Sequence, residues 1–520
     1  MSYSQEIQKA SVKINSLTET DLEHGTERFA MRDAETATAA YEGRIENLGA
    51  IQRQVSDAFS GLRSGGMNQT LLNEDAALSK WDPDKIPNRT HRVYGVAGGK
   101  IKKIFTGTIR NFEYSSAGRV ALQISDSAES YFGDTNQWWV DLTLRASEWG
   151  SLPSENAGKL APLVIGDHDS RGAGFAGMLP TVKVSPTEFI CAGHAMKSVS
   201  RVFDGGKPAG AGYRVHLDYP WSKGINGLCT LITFDEAPQG QVTIDGQGLT
   251  DDLTSNGMLV TNPVDVMETL RLHVFGLSDE YANQLRMAAA RTWAEKYHLR
   301  VAGIVGQKTL ALDVMAHLLA NSFLAGGVDQ DGLWSIWYLD IPLDPDGGTP
   351  VSERDDIIQQ SLQIRLEENT IVNKLLVAFL KRASGGSHLG QVELEHFVSQ
   401  ADLGRKYEHN LSLDFCVERE CARTVGELTL LIHGYPVAAS WGDMLHHSEL
   451  DLGSQVQLTT PFGPNASEGG WSSRCMGIKG INFQPAQGML QIQAQDWSRA
   501  TTTALGEGFE LGDILPGEVL

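Results

Sequence analysis

Apolar and polar residues alternate most cleanly near the end of the chain, where Leu490, Ile492 and Ala494 interleave with Gln491, Gln493 and Gln495. A period of two marks a strand with one buried and one wet face. Ahead of it, Ile478, Ile481 and Phe483 form a first arm and Gln484-Pro485-Ala486-Gln487-Gly488 carries turn chemistry, so Met476–Trp497 reads as a hairpin. Thr106–Ser127 echoes it. Shifted by 370 positions, Gly107 falls on Gly477, Gly118 on Gly488, Gln123 on Gln493 and Asp126 on Asp496, with Val120 and Leu122 on Leu490 and Ile492. Phe112 and Phe483 are out of step by one. The pattern predicts two related β-domains, one near each end, with other structure inserted between them.

Elsewhere the period changes. From Glu27 to Leu62, Phe29, Tyr41, Ile45, Leu48, Ile51, Val55 and Phe59 recur near 3- and 4-residue spacing in a segment rich in Ala, Glu, Arg and Gln. That predicts an amphipathic helix, read either as an arm packing on another chain or domain or as a helix on its own local core. Ser64-Gly65-Gly66 ends it, and Trp81–Asn88 is an extended connector. Short apolar runs between turn residues from Leu160 to Leu249 predict a small all-β domain. Helices are then expected from Asn262-Pro263, from Ser278, and from about Gln307 to Ala325, the last closed by Gly326-Gly327. Leu333–Ile341, Leu375–Leu380 and Leu411–Phe415 resume β structure, a helix carries Ala422, Val425, Thr429 and Ile432, and Val437, Ala439 and Trp441 return to strand.

The expected fold class is therefore mainly β with α, a multidomain α+β chain. Its parts are an N-terminal helical arm and connector (1–88), part of a first β-barrel domain (89–158), a small β domain (159–258), a helical insert (259–328), a second β-barrel domain with one helix (329–497) and a C-terminal tail (498–520). A length of 520 residues suits two to four domains.

Composition narrows the function classes. A formal net charge of −21 repels phosphate backbones and anionic lipid, so a nucleic-acid grip would need a local basic patch. Lys100, Lys102 and Lys103 with Arg92 and Arg110 are the one dense candidate, on strand positions that a solvated outer face also explains. No apolar run reaches the roughly 18 residues of a membrane span, and the polar N-terminus lacks the apolar segment of a secretory signal, so synthesis in the cytoplasm is expected. Five cysteines at unrelated spacing (Cys191, Cys229, Cys416, Cys421, Cys475) read as reduced, packed thiols.

Catalytic constellations are weak. Gly95-Val96-Ala97-Gly98-Gly99-Lys100 lacks the spacing and the hydroxyl of a phosphate loop and reads as a β-turn. His446-His447-Ser448-Glu449 places neighbouring histidines on opposite faces of an extended segment, poor geometry for chelation. Asp340, Asp344 and Asp346, or Asp329 and Asp331, fall short of a calcium loop. Glu367-Glu368 and Glu393 with Glu395 supply carboxylates without a geometry for glycoside cleavage. Trp138, Trp139 and Trp149 suit a sugar platform or, more commonly, a core. No catalytic, cofactor-binding or metal residue is assigned, and no cofactor is expected.

One resemblance organises these parts. Leu403-Gly404-Arg405-Lys406-Tyr407, then Leu411–Phe415, the helix from Ala422 to Ile432, Tyr435-Pro436, Leu450-Asp451-Leu452-Gly453 with Val456 and Leu458, and the hairpin ending Ala494-Gln495-Asp496 resemble tailed-bacteriophage baseplate hub, or tail-tip, proteins. Asn369–Phe379, Thr261–Met267 and Phe105-Thr106-Gly107 to Asp126 are similar as well. The sequence departs from that pattern at Ser454, where an acidic turn residue is expected, and in the segment before Trp81. The resemblance implies a virion structural protein and not an enzyme: a ring, commonly a homotrimer, closing the distal tail tube through two barrel domains per subunit that are like tube units. Implied partners are further copies of the chain, a distal tail protein, the tail tube, the tape measure and receptor-binding or fibre proteins. DNA would pass without specific binding, with acidic residues lining the lumen. A glycan-directed cell-wall hydrolase and a glycan-binding tail protein are the alternatives.

Overall fold

The structure is a computed structural model and describes residues 14–54, 61–62, 65–97, 100–115, 118–126, 141–169, 179–307, 309–339, 347–381, 387–443, 447–461, 470–484 and 487–496. The chain is mainly β with α, and two large sheets dominate it. The first is built from β1 (Ile14–Leu22), β2 (Gly25–Ala30), β3 (Ile45–Leu48), β5 (Gly66–Leu72), β6 (Thr90–Ala97), β7 (Lys100–Ser115) and β8 (Arg119–Asp126), in the order β2-β1-β6-β7-β8-β5-β3. A further short strand, β4 (Ile51–Gln54), leaves this sheet for the other one.

Among the described residues of Glu27–Leu62 no helix is formed, and the N-terminal helical arm is corrected to strands: Gly25–Ala30 and Ile45–Leu48 join the first sheet, Ala34–Glu35 pairs with Ala40–Tyr41, Ile51–Gln54 pairs with the second sheet and Gly61–Leu62 with Ala325–Val328. Its 3-residue spacing has a β origin. A bulge between Ile45 and Asn47 turns Ile45 and Leu48 to the same buried face while Glu46 and Asn47 stay exposed. Strands on both sides of residue 88 thus share one sheet.

Between the large sheets lie short strands such as Leu163–Ile165, Ser198–Asp204, Tyr213–Pro220, Leu228–Phe234 and Val242–Gln247, then α1 (Pro263–Thr269), α2 (Gln284–Lys296) and α3 (Ala311–Ala320). Asn262 caps α1, its side chain accepting from the Val264 amide. The second helix starts at an Asn283 cap rather than at Ser278, because Asp279–Tyr281 forms a 3-10 turn pinned by Arg271. That guanidinium is fully buried and donates to the Leu277 and Ser278 carbonyls at 2.6 and 2.7 Å and to Asp279 at 2.8 Å. Gly326 and Gly327 do not close a helix but lie in a strand, Ala325–Val328. A Cβ on Gly326 would stand 2.6 Å from Leu319 and 3.1 Å from Trp334, so the strand can pack here only without a side chain.

The last part comprises β9 (Thr349–Ser352), β10 (Gln363–Leu366), β11 (Lys374–Lys381), β12 (His388–Glu395), α4 (Phe397–Leu403), β13 (Glu408–Ser412), α5 (Arg419–His433), β14 (Val437–Asp443), β15 (Gln455–Thr460), β16 (Trp471–Gln484) and β17 (Met489–Asp496). The second large sheet runs β9-β15-β16-β17-β14-β10, with β4 also pairing β16, while β12-β11-β13 forms a separate sheet against α5. Phe29, Ile109 and Leu122 of the first sheet share one core with Trp441, Ile481 and Ile492 of the second. The three helices, α5 and the β11–β12 pair share another, around Trp293, Leu319, Trp334, Leu375 and Leu428.

The two hairpins match strand for strand. Ile109↔Ile124, a bulge at Arg110, then Phe112↔Leu122 and Tyr114↔Val120 in the first correspond to Ile478↔Ala494, a bulge at Lys479, then Ile481↔Ile492 and Phe483↔Leu490 in the second. The second arms superimpose at the 370-residue shift, the first arms at 369, because the second turn is one residue longer. Gly107 therefore pairs off with Met476 and not with Gly477. The flanking strands follow suit: β6 meets β7 as β15 meets β16, with Val93↔Phe105 and Leu458↔Arg474 equivalent and a register irregularity just beyond each. β5 borders β8 as β14 borders β17, and β3 and β10 take the next place outward.

Candidate functional site

The chemically richest place is the seam where these two units meet, and it is built on a turn. Asp451 lies in the link between β14 and β15, 8% exposed. One carboxylate oxygen accepts from Arg53 of β4 at 3.1 Å and from the Leu452 amide at 2.8 Å. The other accepts from Arg286 of α2 at 2.6 Å. Three remote parts of the chain converge on one side chain. Ser454 shapes this turn: its hydroxyl accepts the Asp451 amide and its own amide donates to the Asp451 carbonyl, both at 3.0 Å. The missing acidic residue is thus replaced by a hydroxyl that closes the turn itself.

Beside it, β4 pairs antiparallel with β16 in the register Ile51↔Phe483, Arg53↔Ile481 and Gln54↔Gly480. On the same flank Lys102 donates to the Ser448 carbonyl, Lys103 pairs with Asp331 at 3.1 Å, and the Thr106 hydroxyl donates to the Gln330 carbonyl at 3.3 Å. Burial holds the Lys102 pKa below its ordinary value despite the nearby Glu449. Arg92 pairs with Asp21 at 2.8 Å and Arg110 donates to the Ser125 hydroxyl at 2.7 Å. Of the basic set on β6 and β7, Arg92, Lys102, Lys103 and Arg110 are thus engaged by partners within the chain.

The other sequence candidates resolve similarly. Ala97 and Lys100 pair antiparallel, in keeping with a β-turn, and Gly98 and Gly99 lie outside the described residues. Asp329 is no ion ligand: its carboxylate is saturated by the Asp331 and Leu333 amides, the Asn283 side chain and the Ser335 hydroxyl, at 2.8 to 3.1 Å. Asp340, Asp344, Asp346, His446, Trp138, Trp139 and the 498–520 tail lie outside the described residues. His447 bonds Asp443 through Nδ1 at 2.6 Å; burial lowers its pKa, but the carboxylate outweighs burial and the net shift is upward.

Glu367 is held by Lys479 at 2.8 Å and Arg365 at 2.9 Å. Burial opposes its ionisation, yet the cations win and its pKa falls. Glu393 and Glu395 share Lys374, at 2.8 and 3.9 Å. Trp149 is a core residue, 6.1 Å from Trp221. All five cysteines are buried free thiols, and burial pushes Cys229 up to about 12. Among the described residues no group of three or more histidines, cysteines and carboxylates is placed to hold a metal. Among them too, no helix is long and apolar enough to cross a membrane.

The sequence drew attention to Leu450–Gly453 but not to the partners of Asp451, since Arg53 and Arg286 lie hundreds of residues away in elements whose neighbours no local pattern reveals.

No protein-family model matches the sequence, and no curated protein matches it. Solved structures similar to the chain include a 43 kDa tail protein of prophage MuSo2 from Shewanella oneidensis, 11% identical, covering 94% of this chain and 99% of that one at a TM-score of 0.40. A tail protein from Neisseria meningitidis MC58 is 9% identical over 92% and 96% of the two chains, at 0.42. Prophage tail protein gp18 from Listeria monocytogenes EGD-e is 7% identical over 95% and 98%, at 0.40. Similarity at this level carries no functional conclusion. The fold and seam by themselves define a multidomain, mainly β chain whose parts are tied by ion pairs around Asp451.

Proposed function

We propose that this chain is a structural component of a bacteriophage tail, forming the hub ring that closes the distal tube at the tail tip. The observation that carries this reading is the internal repeat: two register-matched sheet units in one chain, one of which lends a strand to the other. Units that already join by strand pairing within a chain are the natural material of a ring wall, in which like units repeat around an axis. The order of motifs that resembles hub proteins agrees with this reading. The ring is a homotrimer, meeting a distal tail protein, the tube, the tape measure and receptor-binding or fibre proteins. The excess of acidic residues suits a lumen through which DNA slides without adhering.

The test is light scattering combined with electron microscopy of the purified full-length chain over a range of concentrations. Closed rings of three copies that fail to retain double-stranded DNA at about 50 mM salt are expected. A chain that stays monomeric at every concentration, or that releases fragments from purified peptidoglycan, would sink the proposal.

A further inference from the structure

We infer that the outer edge of β7, from Asn111 to Ser115, takes an antiparallel strand from a second copy of this chain. This rests on the ring reading above and adds the residues of the contact. The argument starts from the repeat. In the second unit, β16 is bordered along one edge first by β15, as far as Gly477, and then by β4 over Gly480–Phe483. At the changeover, the Ile478 amide donates to the Ser454 carbonyl and its carbonyl accepts from Gly453.

In the first unit, β7 is bordered by β6 as far as Thr108, and Ile109 makes the same pair of bonds, to Arg89 and Asn88. Even the turning residues agree, Asn88 and Gly453 both having positive φ, 66° and 74°. Beyond this point the units part company. Asn111–Tyr114 stand where Gly480–Phe483 stand, yet among the described residues no strand lies on that edge.

The edge lies at the surface. The Phe112 amide, whose counterpart Ile481 faces β4, is met by the Asn111 side chain at 2.9 Å, a local substitute for a ladder bond. Phe112 and Tyr114 pack edge to face at 4.8 Å, and Phe112 lies 5.9 Å from Trp81, so both rings are engaged on one face of the strand. Asn111, Glu113, Tyr114 and Ser115 are exposed. A strand edge that, among the described residues, no other strand borders is a template for another strand.

The repeat also says what fits. The equivalent edge on β16 is filled from the sister unit, and this chain's β4 is already committed there. Among the described residues no further strand is left over to fill β7, and the filling unit is assigned to the next copy. Such a contact is head-to-tail, so it must close into a ring or run on as a filament.

Amide hydrogen exchange on the full-length chain, compared between the monomer at low concentration and the assembled form, tests this directly. Assembly is expected to slow exchange at Phe112 and Tyr114 by about a hundredfold or more. Tyr114→Pro, which has no amide to donate, should raise the concentration needed for assembly by at least about tenfold. Tyr114→Phe loses the same hydroxyl contacts to Leu78 and Trp81 but keeps the amide, and should assemble as the parent does. Rings in which the two amides exchange as fast as in the monomer overturn the inference and leave the ring standing, as does normal assembly of Tyr114→Pro. Protection already complete in the monomer means that another segment of the same chain fills the edge, and also overturns it. A chain that never assembles overturns both. Should Tyr114→Pro fail to fold, the exchange measurement on the parent chain decides alone.

Discussion

His91 shows how much a single position can differ between two otherwise matching units. It is fully buried on β6, its Nδ1 2.9 Å from the Thr20 hydroxyl, and its equivalent in the second unit is Val456 on β15. Burial, helped by Arg92, pulls its pKa from 6.5 down to about 3. The folded chain therefore keeps His91 neutral while the unfolded chain protonates it below about pH 6.5. Its contribution to stability is intact above that pH and is lost as pH falls towards 3, by at most about 1.4 kcal/mol per pH unit. His91→Val is expected to reduce the fall in melting temperature between about pH 7.5 and about pH 4.5. His194, buried and lowered to about 4, keeps part of the fall in place. Parallel curves for variant and parent would show that His91 is not an acid-sensitive point.

Among the elements, the hairpins carry the clearest sequence signal and also show where it stopped. Gly118 and Gly488 were visible as matching turn glycines, and both adopt positive φ, +68° and +63°. Alanine at either is expected to lower stability by about 1–2 kcal/mol, with asparagine costing less, read from thermal midpoints. A fall at only one of them would mean that the two turns are not equivalent. The second arms were legible because their pairing face alternates without interruption. The first arms were not, since the bulges at Arg110 and Lys479 break the period and the turns differ by one residue. Bulges also explain the error at the N-terminus, where β3 imitates helical spacing by placing Ile45 and Leu48 on one face. A hydrophobic period identifies an element only while its strand stays regular.

Across the whole molecule, Asp451 is the residue through which the first unit, the helical insert and the second unit are tied. Asp451→Ala leaves Arg53, whose side chain is only 14% exposed, without its carboxylate. Loss of one partner from such a buried cluster costs about 3 kcal/mol. The expected outcome is a lower melting temperature together with faster hydrogen exchange along β4, which would register loosening of the seam itself. Unchanged exchange at Ile51–Gln54 would show that strand pairing with β16 holds the units without the ion pairs.

The residues of this chain, taken alone, specify the mainly β class, the helices around Asn262 and Ala422, the two turn glycines and the existence of a repeat. These depend on periodicity and turn chemistry, which act over a few neighbouring residues. Only the tertiary structure decided that the N-terminal segment is sheet, that β4 crosses to the second unit, that Asp451 gathers Arg53 and Arg286, and that among the described residues no strand borders β7 where β4 borders β16. Each of these depends on which distant segments meet, and pairing across hundreds of residues leaves no mark on local sequence pattern.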